Sequence, residues 1–143
     1  MRVFLLIIGW LGLSIATAFA NVPAGNIGKI KGSGVLERGS DVIEGGSGVS
    51  VQTMDTAVTA RGTMRIDFID ETRVDITEHS RLVIDEFVYD PANDVGSLSI
   101  KASLGGVRYA SGQIAKKYRQ NVKISTPSAT IGVRGTDFVM IVD

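Results

Sequence analysis

The sequence has no cysteine, one histidine, three prolines and no excess of charge, with 15 Lys and Arg against 15 Asp and Glu. Each shortage excludes something. Without cysteine there are no disulfides and no lipid attached at a signal-peptide cysteine, so the chain relies on its own apolar core. With His79 as the sole imidazole, zinc's usual set of nitrogen and sulfur ligands cannot be assembled. His79 lies in the polar turn Thr77-Glu78-His79-Ser80, and no serine nearby sits on the strand-to-helix elbow that an activated nucleophile needs. Balanced charge also makes nucleic acid a poor partner.

Long apolar runs are equally scarce, and the single one is at the start. Arg2 precedes an apolar stretch beginning at Val3, and small residues then lead to Ala18-Phe19-Ala20. A charged start, a hydrophobic segment and an A-x-A site make a signal peptide over residues 1–20, with cleavage between Ala20 and Asn21. The expected address is the periplasm. The alternative is an uncleaved inner-membrane anchor, for which 18 residues from Val3 to Ala20 are slightly short of the roughly 20 that span a bilayer. Residues 21–143 are expected to form a single domain, large enough to bury about two-thirds of its unfolded surface.

What the chain has in quantity is glycine and period-two alternation. Between Asn21 and Ser50, glycines interrupt short apolar pieces at Ile27 and Ile30, Val35 and Leu36, and Val42 and Ile43, and the remainder reads as turns. Gly45-Gly46-Ser47-Gly48 lacks the Lys-Ser/Thr that completes a phosphate loop. Beyond it Met64, Ile66 and Phe68 alternate with Arg65 and Asp67, and Val74 and Ile76 resume after the turn Asp70-Glu71-Thr72. Further strands are expected at Leu82 to Tyr89, Leu98 to Leu104, Val107 to Tyr109, Val122 to Thr126 and Ala129 to Val142. Pro127 and Ser128 turn the last two back on each other. The rhythm predicts an all-β domain of short antiparallel strands, either a twisted solenoid or a curled sandwich.

One segment departs from it. Ser111 to Gln120 has a short helical look, with Ile114 and Tyr118 on one side and Lys116, Lys117 and Arg119 on the other. These three cations are a candidate partner surface. Charge is also uneven along the chain: residues 21–95 carry 13 acids and 7 bases, and residues 96–143 carry 2 acids and 7 bases. Such asymmetry allows steering of a charged partner or head-to-tail stacking. The carboxylates between Asp67 and Asp94 offer acid–base or calcium chemistry in principle, but they lack the order of a calcium loop and have Arg65, Arg73 and Arg81 at hand for cross-strand pairing.

The stretch Thr59 to Ile84, the segment Leu104 to Val107, Thr126-Pro127 and the block Gly132-Val133-Arg134-Gly135-Thr136-Asp137-Phe138 together resemble the FecR-type periplasmic domain. The resemblance covers about residues 35–142. It implies that Gly135 allows a tight turn, Thr136 bonds local backbone and Phe138 fills the core. Glu71 departs from it, standing where that family's turn usually has glycine, so another turn geometry is expected. The best-known members regulate sigma factors through a cytoplasmic segment ahead of a membrane helix. Here the hydrophobic run begins directly after Arg2, and the expectation is an exported domain without that segment.

The expected function is therefore a non-enzymatic envelope-sensing or protein-interaction module, with no cofactor, no metal and an unidentified envelope protein as partner. Self-association through a free strand edge near Asp143 is a further expectation. The alternative is a carbohydrate- or peptidoglycan-binding domain that uses Tyr89, Tyr109 and Tyr118 as exposed stacking platforms.

Overall fold

The computed structural model describes residues 23–133 and 137–143. Ala20, Asn21, Gly135 and Thr136 lie outside the described residues. Ten strands follow in order: β1 (Gly25–Arg38), β2 (Asp41–Glu44), β3 (Ser50–Val51), β4 (Thr56–Phe68), β5 (Arg73–Ile76), β6 (Arg81–Asp90), β7 (Val95–Ala110), β8 (Val122–Ser125), β9 (Thr130–Gly132) and β10 (Asp137–Val142). A one-turn helix, α1 (Gln113–Lys117), and a 3-10 turn at Arg119–Asn121 interrupt them between β7 and β8.

All ten strands belong to one sheet. β1 pairs with β4; β5 and β6 follow one another along the far edge of β4 and also along β7. β5 and β6 thus lie end to end between β4 and β7, and the single sheet curls into a small barrel. The all-β expectation holds, but solenoid coils or two separate sheets are not what the pairings give. Nor are the strands uniformly short and antiparallel. β1, β4 and β7 run for 14, 13 and 16 residues, and β8 lies parallel to β7. The excursion through α1 and the 3-10 turn supplies the crossover that a parallel neighbour requires.

The glycines read as strand breaks are instead places where long strands bend. In β4 the buried side alternates as Ala57 and Thr59, then shifts to Gly62, Met64, Ile66 and Phe68. In β7 it runs Leu98, Ile100, Ala102, then Val107 and Tyr109. These shifts align across the sheet: Gly32 sits opposite Gly62, the Thr77–Ser80 turn separates β5 from β6, and Gly105-Gly106 interrupts β7. A Cβ on Gly62 would lie 2.2 Å from the Lys31 carbonyl, and one on Gly105, at φ +90°, would lie 2.0 Å from Ser80 Oγ. Only glycine permits so close an approach.

Hydroxyl groups replace ladder bonds along this line. Thr59 Oγ1 donates to the Thr77 carbonyl at 2.6 Å and accepts from the Ser80 N–H at 3.0 Å. Thr77 Oγ1 accepts from the Gly106 N–H at 3.0 Å. With its backbone groups satisfied, the line can be folded at small cost.

Folding the sheet buries one continuous core, in which Ile27, Met64, Ile66, Val74 and Tyr109 from one half meet Leu36, Leu82, Ile84, Leu98 and Ile124 from the other. Each such side chain contributes about 1.5–3 kcal/mol on burial. Two buried carboxylates fasten the ends. Asp55 accepts from Arg38 Nε and Nη2, both at 2.8 Å, and from the Gln52 N–H at 2.8 Å. Asp70 accepts from Thr72 Oγ1 at 2.7 Å and from the Ile114 N–H at 3.1 Å, which docks α1 on the barrel. Glu71 between them has φ +72°, so this turn adopts the left-handed geometry that glycine favours even though the residue is glutamate.

Candidate interaction surface

The last strand has the composition of a strand covered on both faces. Phe138, Val139, Met140, Ile141 and Val142 form an unbroken apolar run, the pattern of a central strand rather than an edge. Inward, Phe138, Met140 and Val142 pack against the core, and Phe138 stacks on Tyr109 with ring centroids 5.1 Å apart. Outward, Val139 is 69% and Ile141 76% exposed. β10 pairs with β7 alone among the described residues. One side of its backbone is therefore a row of donors and acceptors without a strand partner.

Beside it runs an open groove of about 390 Å³, lined by Leu104, Val107, Val139, Ile141 and Val142, with His79 and Arg108 on its rim. His79 has φ +51° and its N–H donates to the Ala60 carbonyl at 2.9 Å, so it is placed by the bend in the sheet. Apolar floor, polar rim and free edge together suit an extended segment, which gains main-chain bonds from the edge and side-chain contacts from the groove.

The cations singled out in the sequence are divided by the structure. Ile114 and Tyr118 are buried, as the helical spacing implies, and Lys116, Lys117 and Arg119 face solvent. Lys117 is not free: its Nζ lies 2.8 Å from Asp94 Oδ1 and 5.4 Å from the Tyr118 ring centroid. The Lys117 hydrogen bond, with a second from the Tyr118 hydroxyl, holds the Asp94 carboxyl below its ordinary range. Lys116 and Arg119 are left exposed on either side.

The tyrosine platform is overturned. Tyr109 is fully buried and Tyr118 nearly so, while Tyr89 is half-buried on β6. Burial pushes the Tyr109 phenol above its ordinary value, and the Asp70 charge adds to it. These rings are core, and no shared aromatic face exists among them to stack on a sugar.

The carboxylates are also in structural use. Asp75 pairs with Arg65 at 2.8 Å, Asp67 with Arg73 at 3.4 Å and Asp85 with Lys101 at 3.2 Å. Among the described residues no three potential metal ligands converge. Of the closing block, Thr126 caps the β8–β9 turn, its Oγ1 accepting from the Ala129 N–H at 3.1 Å, and Pro127 is exposed within that turn. Gly132 ends β9, where a Cβ would meet nothing within 4 Å. Phe138 is half-buried against Tyr109, the core role that the resemblance implied.

No curated protein and no solved structure matches the chain. The pattern that defines the FecR protein family matches residues 52–143, which take in every strand from β4 to β10 and thus the open edge. Spanning more than half of the sequence, the match shows that this chain belongs to the FecR family.

Proposed function

We propose that the protein is a non-enzymatic, exported envelope-sensing module that works in the periplasm by binding another envelope protein. The observation that carries this reading is β10: an apolar strand on both faces, at a sheet edge, beside an apolar groove. Membership in the FecR family supports a sensing or interaction domain of the cell envelope. The bound element is an extended segment that adds antiparallel or parallel to β10 and seats its apolar side chains against Val139 and Ile141. None of the described residues forms a helix long and apolar enough to cross a membrane.

The test is site-specific photo-crosslinking in cells, with the reactive side chain placed at Val139 or Ile141 and, as control, at Val42 on β2. One discrete envelope-protein adduct is expected from β10 and none from Val42. Lysine at the other β10 position should reduce the adduct about tenfold or more, the loss of about 1.4 kcal/mol or more, without lowering the melting temperature. Equal adducts from both edges would overturn the assignment of β10, and an adduct with a second copy would identify the partner as the chain itself.

A further inference from the structure

The outer face of the sheet on the β1 side of the bend carries an unbalanced group of cations. A cleft of about 330 Å³ is lined there by Lys29, Lys31, Thr63, Arg65, Thr77 and Arg108. The strand register brings them together from three distant stretches: Lys29 is opposite Arg65, Arg65 opposite Asp75, and Asp75 opposite Arg108, while Lys31 is opposite Thr63. Asp75 is the cleft's sole carboxylate, and Arg65 Nε already donates to its Oδ1 at 2.8 Å. Lys29, Lys31 and Arg108 have no ion-pair partner among the described residues. The cleft therefore holds four cations against one anion.

This arrangement is not what stability alone selects. Like charges directly opposite across a ladder are destabilising, yet Lys29 faces Arg65. Their placement also depends on a specific backbone device. Ile27 is buried and pairs with Ile66, and the next pair is Lys29 with Arg65, so Gly28 is an extra residue. Unbroken alternation from Ile27 would point Lys29 and Lys31 into the core. The bulge at Gly28 turns both onto the outer face, the re-aiming that bulges perform beside functional sites. A Cβ at Gly28 would lie 1.8 Å from an Asp67 carboxylate oxygen, so a larger residue there would displace that side chain.

We infer that this cleft is a binding site for a phosphate-bearing ligand. Lys29 and Lys31 supply two point charges on one side, Arg108 a planar fork suited to a tetrahedral oxyanion on the other, and Thr63 a hydroxyl donor between them. An anionic phosphate group offsets part or all of this excess according to its charge, and Asp75, engaged by Arg65, does not repel it strongly. The cleft lies within the range of small-ligand pockets, about 300–1,000 Å³. The cleft adjoins the β10 groove through Thr77 and Arg108, which line both, and Arg108 lies directly opposite Val139, whereas Lys29, Lys31 and Thr63 belong to the cleft alone.

The same phosphate chemistry is available on a soluble molecule and on a lipid headgroup, and two arms separate them. Calorimetric titration of the purified protein with inorganic pyrophosphate reads the soluble form. Sedimentation with phosphatidylglycerol–phosphatidylcholine vesicles, against pure phosphatidylcholine, reads the headgroup. Saturable binding in either arm, weakening as salt is raised, is expected. It should fall about tenfold or more in Lys31→Glu with Arg108→Glu, and be unchanged in Lys116→Glu with Arg119→Glu, both variants keeping the wild-type melting temperature. Lys31→Gln with Arg108→Gln, which adds no negative charge, guards against misfolding and should lose binding as well. Absence of binding in both arms, or equal binding by the cleft variants and the wild type, would overturn the site.

Discussion

Two edge strands of this sheet, β2 and β10, are built in opposite ways. β2 is four residues long, begins with Asp41 and ends with Glu44, and presents a single exposed apolar side chain, Val42. A short strand closed by charges at both ends is a standard defence against edge-to-edge pairing. β10 is six residues long, has its two outward apolar residues side by side along the face, and keeps its acids at the margins, Asp137 and Asp143. The molecule is thus able to protect an edge and does so at one end. That the other is left open is a property of β10 itself rather than of the fold.

The contrast is broken most severely by removing what holds the protected edge. Arg38, directly opposite Asp41, is fixed by the buried Asp55 carboxylate. Asp55→Ala leaves Arg38 without its counter-charge and the Gln52 N–H without an acceptor. Breaking a buried pair costs about 3–5 kcal/mol, reduced towards about 2–3 here because Arg38 is partly exposed. Urea denaturation should show this loss, and a loss below about 0.5 kcal/mol would mean that the β2 end does not depend on the pair.

A smaller change tests whether charge alone distinguishes the edges. Asp41→Val with Glu44→Val converts β2 into an uninterrupted apolar strand, leaving its backbone pairing with β1 intact. Concentration-dependent self-association is expected by analytical ultracentrifugation, with a dimer gaining about 1–3 kcal/mol relative to wild type. If the variant sediments as the wild type does, strand length rather than charge guards that edge.

The smallest expected effect lies at the turn before β5. Glu71 holds φ +72°, and its carboxylate accepts from Gln113 Nε2 at 2.9 Å, a contact on the exposed side of the α1 joint. Glu71→Gly relieves the left-handed strain and loses that one exposed bond. A net gain of about 0.5–1 kcal/mol in stability is expected, read as a rise in melting temperature. No rise would show that the Gln113 contact matters as much as the strain.

How much of this was legible in the sequence follows from how local each signal is. Met64, Ile66 and Phe68, and Val74 and Ile76, announce a buried strand face by period two, and all five are buried. The pairing of Ile114 with Tyr118 on one side of a short helical turn was legible for the same reason. Glycine misled, because its local preference for turns says nothing of what lies opposite: Gly32 and Gly62 interrupt no strand, since each makes room for the other's backbone. Tyr109 and Tyr118 have an amphipathic side chain that sequence alone cannot assign to core or surface.

The surface features were harder still. Lys116, Lys117 and Arg119 stand together in sequence, whereas Lys117 is occupied by Asp94, which caps a second 3-10 turn, Pro91–Asn93, between β6 and β7. Lys29, Arg65 and Arg108 are scattered in sequence and become neighbours through strand register alone. The parallel pairing of β7 with β8 had no local signal either, being set by the excursion through α1.

The bend shared by β1, β4 and β7 bears on how the molecule opens. Because these three strands each run through both halves of the folded sheet, neither half owns a complete set of strands and neither can separate while the other stays intact. Amide protons of Ile66, Leu82 and Ile100 should then exchange together, through one global event, although they lie on different sides of the bend. Only β2, β3, β9 and β10, each tied to a single neighbour, are free to fray at lower energy. β10 thereby sits in the one class of element that can detach and rejoin without disturbing the cooperative unit behind it.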